Sequence, residues 1–376
     1  MTKKCFDCRI RENIQNILAG RSMNNNEKKI GIPRAMSFYN NYPFLFGFLS
    51  YLGIEIVLSD QTTKKTVSDG ASLVVTETCL PIKIFIGHVL NLLDKGVTKI
   101  LVPSIQSIAP KIYNCSKIRG LPDLVRNVVK RDFELIEPTL DKSAKDQGLY
   151  AFLKEMVKPF GITNEKLIKK ASKAGWKVYN NFLLMVRAGM SYKKAINYAL
   201  QGKIFIESGE KEYPINIALV SHGYNIYDDR ASMKIFDKLE DMDVSVKTSL
   251  QLTEEQMKEG MTYMNHKTYW ANEHEMTGTA GHYLKDNRID GMILLTSFGC
   301  GPDSLMIERI IKQAKLCNKP VLSLTIDEHT GEAGFITRLE AFVDMLYRKK
   351  RSKIISEEKD YDFIPQTNVC EALVNV

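Results

Sequence analysis

Short apolar runs alternate with amphipathic stretches along most of this chain. That is the pattern of parallel strands joined by helical crossovers. It is clearest late in the sequence, where Gly291–Ser297 and Val321–Ile326 read as strands around a helix over 304–317. In that helix Ile307, Ile310, Ile311 and Ala314 fall at i, i+3, i+4 and i+7, which makes one buried stripe. Asn318-Lys319-Pro320 then stops it. The same rhythm opens the chain, with strands expected at Lys29–Ile32, 54–58, 73–75 and 97–102 and helices at 37–52 and 81–93. Between 126 and 210 it is replaced by Lys-, Ala- and Leu-rich stretches such as 164–188, which read as helices with no strand between them. It resumes at Ile215–Val220 and 244–248.

The expected fold is therefore α/β, with two Rossmann-like parallel-sheet lobes joined by a helical segment. Its divisions are a polar lead-in at 1–28, a first lobe at 29–125, the helical segment at 126–210, a second lobe at 211–346 and a charged tail at 347–376. A length of 376 residues suits two domains. With 44% hydrophobic and 26% charged residues, the composition is too apolar for disorder. The net charge of +8 is partly gathered in Arg348-Lys349-Lys350-Arg351-Ser352-Lys353, which argues against a dedicated nucleic-acid binder. No apolar run approaches the ~18–20 residues of a membrane span, and the first residues lack the apolar stretch of a signal peptide. A cytoplasmic protein with no membrane or nucleic-acid partner is expected.

The seven cysteines, at 5, 8, 79, 115, 300, 317 and 370, carry the chemical interest. In a reducing compartment thiols with a purpose are more often metal ligands or catalytic groups than disulfides. Three lie in loops of the kind that hold ligands beyond the carboxyl ends of α/β strands: Glu77-Thr78-Cys79-Leu80-Pro81, Tyr113-Asn114-Cys115-Ser116-Lys117 and Phe298-Gly299-Cys300-Gly301-Pro302-Asp303. Gly299 and Gly301 would let a bulky ligand approach the backbone, and the helix that follows offers free N–H groups to an anionic cluster. Each thiol fits equally the habit of a small buried hydrophobe, and spacing leaves both readings open. Cys317, on the apolar stripe, reads as structural, and Cys370 has no partner nearby. Cys5-x-x-Cys8 could bind metal or cycle as a dithiol, without a second such pair to complete a four-thiolate site. The chain has no GxGxxG, GxxxxGK[ST] or GxSxG motif. Asp327-Glu328-His329 reads either as acid–base machinery or as a polar loop.

Several of these loops together resemble the activase-related family of the 2-hydroxyacyl-CoA dehydratase and double-cubane cluster superfamily. The resemblance is carried by Lys29-Ile30-Gly31-Ile32-Pro33-Arg34-Ala35 with Phe38-Tyr39, and by Glu77-Thr78-Cys79-Leu80-Pro81-Ile82-Lys83 with Gly87-His88-Val89. It continues through Tyr113-x-Cys115 with Gly120-Leu121-Pro122, His222-Gly223-Tyr224-Asn225-x-Tyr227-Asp228, the Cys300 loop, and Thr325-Ile326-Asp327-Glu328-His329-Thr330-Gly331-Glu332-Ala333-Gly334. These span residues 29 to about 346.

The resemblance implies that Cys79, Cys115 and Cys300 hold a [4Fe-4S]-type cluster in the cleft between the lobes, a larger double-cubane cluster requiring more thiolates. It implies that Arg34 meets an anionic substrate or screens the cluster, and that Gly299 and Gly301 give it room. His88 would donate to a sulfide or simply face solvent. Glu328 and His329, one strand away from Cys300, would handle protons. The implied partner is an ATP-dependent activase of the actin/hexokinase type that injects a low-potential electron in an anaerobic system. A homodimer and a small-molecule or acyl-CoA substrate complete the expectation. Ser116 stands where the family pattern suggests Pro, and Ser104 where it suggests Arg. Three roles are consistent with this: electron transfer or reduction, a dehydratase-type component, and a non-catalytic cluster carrier. Zinc on the same three thiolates is the lesser alternative.

Overall fold

A computed structural model describes residues 28–206, 212–265 and 270–361. Eleven strands are described: β1 (Lys29–Ile32), β2 (Glu55–Leu58), β3 (Lys99–Leu101), β4 (Ser104–Ala109), β5 (Ile112–Tyr113), β6 (Glu134–Ile136), β7 (Thr139–Asp141), β8 (Ile215–Val220), β9 (Val244–Lys247), β10 (Gly291–Ser297) and β11 (Val321–Ile326). They form two four-stranded parallel sheets, ordered β2-β1-β3-β6 and β11-β10-β8-β9. The expected α/β class with parallel sheets is therefore what this chain adopts. A small third sheet, β5-β4-β7, sits at the end of the first.

The central strand of the second sheet is the best specified. All seven residues of β10 are buried, as expected of a strand covered on both faces. The following helix, Gly301–Leu316, starts three residues before the apolar stripe does, because Pro302 in its first turn sets φ for helix entry. Met306, Ile310 and Ala314 are buried along it. In the first sheet the Phe38–Tyr51 helix packs against the 23-residue Glu165–Arg187 helix, whose N-cap Asn164 accepts a bond from the Leu167 backbone. One continuous core runs from Ile30, Phe48 and Leu92 to Ile217, Leu295 and Ile326, so the two sheets share their buried interior.

Two expectations are corrected. Residues 73–75 are not a strand: they follow a helix, Lys64–Ala71, opened by a capping box between Thr63 and Thr66. Three apolar residues with no strand to pair with gain little from extension, and Val75 is 71% exposed. The 126–210 segment is not wholly helical either. Leu135 and Ile136 pair with Ile100 and Leu101, making β6 the edge of the first sheet, and Leu140 of β7 pairs with Ile105. Strands of three residues carry too little periodicity to be read locally; their partners make them. At the other end, the Glu332–Tyr361 helix carries the chain past residue 346. Among the described residues no helix is long and apolar enough to cross a membrane.

Candidate functional site: three cysteines at one cavity

The same local design recurs at three places. Cys79, Cys115 and Cys300 each occupy the residue before a helix: Leu80–Asp94, Ser116–Arg119 and Gly301–Leu316 respectively. Each is extended, and none spends its side chain on capping the helix it precedes. Pro81 and Pro302 stand in the first turns of the two longer helices. The thiols are therefore projected from helix starts, where backbone N–H groups lack intrahelical partners. All three line a single cavity of about 20 Å³, together with Met36, Tyr224, Asn225, Ser297 and Asp303. Gly299 makes the approach of two of these loops feasible. It is left-handed (φ 76°), and a Cβ on it would stand 3.2 Å from the carbonyl oxygen of Glu77. A Cβ on Gly301 would meet nothing within 4 Å, so the space over the start of its helix is open.

Burial pushes the Cys79 thiol up, and neighbouring Lys117 partly offsets it. Cys300 is raised further, by burial and then by the carboxylate of Asp303. Tyr224, fully buried, is raised by desolvation, by Asp303 and by all three cysteines. Asp303 belongs in turn to a buried chain. Its Oδ1 accepts from His222 Nε2 at 2.9 Å, His222 Nδ1 lies 3.5 Å from Glu275 Oε2, and Ser249 donates to Glu275 at 2.8 Å. Burial opposes a charge on His222, yet Asp303 and Glu275 raise its pKa to about 10, so it is an imidazolium held between two carboxylates. Two polar atoms among the residues lining the cavity have no partner: Asp303 Oδ2 and Asn225 Nδ2, whose own Oδ1 accepts from Ser297 at 2.8 Å. Unpaired buried groups of this kind ask for an explanation in a native fold.

Other expected site residues lie elsewhere. Glu328 pairs at 2.5 Å with Lys83 Nζ, which also donates to the Thr76 carbonyl at 2.9 Å; it does not line the cavity. His329 points outward, 84% exposed, because its backbone is tied into the Asp327–Thr330 turn. Arg34 clasps the end of β2, its Nε donating to the Ser59 carbonyl at 2.7 Å and its backbone N–H to Ser59 Oγ at 2.8 Å. His88 is neither at the cysteines nor in solvent. It is fully buried, well along the helix from Cys79, with Nε2 2.8 Å from Thr62 Oγ1. Thr62 gives its hydroxyl proton to Asp228, which also accepts from Tyr39 at 2.8 Å. His88 Nε2 must therefore carry a proton, and its Nδ1 is left unpartnered. Cys317 is half-buried at the end of its helix, 2.9 Å from the Tyr263 hydroxyl, rather than within the stripe. Cys5, Cys8 and Cys370 lie outside the described residues.

Burial, and then Arg34, lower the His88 pKa to about 3. Below about pH 6.5 the unfolded chain takes up a proton that the folded chain refuses, so stability falls as pH drops from about 6.5 towards 3. In His88→Gln, which keeps a donor for Thr62 without titrating, the fall in Tm across this range should be visibly shallower than in the wild type. Equal slopes would show that His88 titrates normally.

Sequence reading assigned no role to His222, Asn225 or Asp303, although each stands within a motif it singled out. The available signal was position: His222 and Asn225 follow the carboxyl end of β8, and Asp303 follows that of β10.

Among the described residues no three His, Cys, Asp or Glu side chains gather closely enough to hold a single metal ion, which disfavours zinc on these thiols. The comparisons with known proteins point in a consistent direction. Residues 166–346 match the 2-hydroxyglutaryl-CoA dehydratase D-component. No curated protein matches the chain. A hypothetical protein of Thermus thermophilus aligns over 94% of this chain and 95% of its own, at 7% identity and a TM-score of 0.18, too low to bear on the fold. Residues 29–252, more than half of the chain, match the family described as the CoA enzyme activase uncharacterised domain; the protein belongs to that activase-related family of the dehydratase superfamily.

Proposed function

We propose that this chain is an iron–sulfur component of a 2-hydroxyacyl-CoA dehydratase-type system, binding a [4Fe-4S]-type cluster through Cys79, Cys115 and Cys300 between the two sheets. The observation that carries this reading is the convergence of three helix-capping cysteines on one cavity. The donor set suits the group. A cubane takes each thiolate on a different iron, so its ligands stand further apart than those of one zinc ion, in keeping with thiols that share a wall without crowding one point. Asn225 Nδ2 has a free N–H for a sulfide or thiolate, and Lys117 and the helix starts offset negative charge. The space of about 20 Å³ is roughly one water's worth, so the loops stand closer here than they would around a cluster. The short Ser116–Arg119 helix, with no buried residue, is the wall with least to hold it in place. Among the described residues only Cys317 remains as a further thiol, which favours a single cubane.

Bound there, such a cluster would supply a low-potential electron acceptor with an iron open to a ligand. The chain's own groups then have definite tasks. Asp303 and Tyr224 surround the thiols, and His222 holds a proton at Nε2 against Asp303. The dehydratase reading is preferred to a bare carrier because the D-component match covers the Cys300 lobe. The partner it needs is a separate ATP-dependent activase as electron donor, in an anaerobic cytoplasm. Protein purified without oxygen should contain about four iron and four acid-labile sulfide per chain and give an EPR signal on reduction. Zinc, or no metal, in protein never exposed to oxygen would overturn the proposal.

A further inference from the structure

The first sheet has the order β2-β1-β3-β6. The chain steps one way from β1 to β2 and the other way from β1 to β3, so β1 and β3 flank a topological switch point, where open α/β sheets bind ligands beyond their carboxyl ends. A cavity of about 200 Å³ lies there. Ile32 and Pro33 line it from the end of β1, and Leu101 and Pro103 from the end of β3. Its walls are otherwise aromatic, including Phe38, Phe85, Phe152 and Trp176. The far wall is rigidly set. Gly47 and Gly175 let the Phe38–Tyr51 and Glu165–Arg187 helices touch backbone to backbone, a Cβ at either position meeting a carbonyl oxygen at 2.8 Å. That contact holds Phe44 against Trp176, ring centroids 5.0 Å apart. Trp176 is 43% exposed, and the exposed Asn41 and Lys142 also line the cavity, which places them at its mouth. Lys142 makes no ion pair among the described residues.

We infer that this is a binding site for a small free monocarboxylate with a ring-sized hydrocarbon body, the body among the aromatic side chains and the carboxylate at Lys142. The size follows from volume: an apolar cavity of ~150 Å³ holds a benzene ring, so 200 Å³ holds a ring with a short chain. The charge follows from Lys142 as the cation at an otherwise apolar mouth. The site adjoins the cysteine cavity: Met36 lines that cavity while Ala35 and Ser37 line this one, and the Leu80–Asp94 helix gives Ile82 to the first and Phe85 to the second. The inference goes beyond the cluster reading and does not need it.

Trp176 supplies the probe. Titration of the full chain with 3-phenylpropionate should change its fluorescence saturably, in Trp270→Phe as in the wild type, and the change should vanish in Trp176→Phe. The uncharged 3-phenylpropanol should bind about threefold more weakly, as expected of one exposed ion pair. Lys142→Met should abolish that difference while leaving binding of the alcohol unchanged. Absence of a saturable change with 3-phenylpropionate would overturn the site. Equal binding of acid and alcohol by the wild type would overturn the carboxylate assignment. Iron content is measured separately on the same protein, so failure here and failure of the cluster proposal are told apart.

Discussion

Cys300→Ser should leave a folded protein without its cluster, with iron and labile sulfide per chain falling from about four to near zero. A serine hydroxyl is a poor iron ligand at neutral pH, and two remaining thiolates do not hold a cubane against dilution. The substitution separates ligation from folding unusually well. Cys300 stands at a helix N-cap and makes no capping hydrogen bond. Serine is among the preferred N-cap residues, worth about 1 kcal/mol over a non-capping side chain, so the apoprotein's Tm should be unchanged or slightly raised. Cys317→Ser is the control: it alters a half-buried contact with Tyr263 and should leave the iron in place. Full iron content with an unchanged visible spectrum in Cys300→Ser would remove this residue from the ligand set.

The second large effect is expected on stability. Lys83 is only 2% exposed and depends on Glu328 and the Thr76 carbonyl for its partners. Burial disfavours the Glu328 carboxylate, but the hydrogen bond from Lys83 holds its pKa below the usual range. Glu328→Gln would leave a buried ammonium without its counter-ion, at a cost of about 4 kcal/mol. Lys83→Met combined with Glu328→Gln should recover most of that loss, since an apolar side chain of similar volume needs no partner. Because the folded pKa of Glu328 is depressed, the pair's contribution is present above about pH 4.5 and lost as pH falls below it. Urea denaturation of the three proteins at neutral pH measures this. A single variant as stable as the wild type would show that the pair is solvated. Glu328 thereby gains a structural task in place of the proton handling expected of it: it clamps the loop after β11 to the helix that starts at Cys79.

What was legible in the linear order was whatever a few neighbouring residues decide among themselves. The strands around 291–297 and 321–326, the helix between them, and the three cysteines set just before helices all follow from local apolar spacing and from Pro81 and Pro302. The family likeness rests on the same short-range patterns. Contacts between distant segments decided the rest. β6 exists because it finds β3, thirty-odd residues earlier, whereas the equally apolar 73–75 finds no strand to pair with. His88 lies buried against Thr62, away from both the cysteines and solvent, and Lys83 is buried because Glu328 arrives from a strand 245 residues away to neutralise it. His222 meets Asp303 across 81 residues, an encounter that spacing cannot announce. Local sequence fixes dihedrals and faces within a turn or two of helix. Only the folded chain brings together the three thiols, the unpartnered Asn225 amide and the charged chain behind them, because each comes from a different loop and nothing in one loop depends on the others until the sheets have packed.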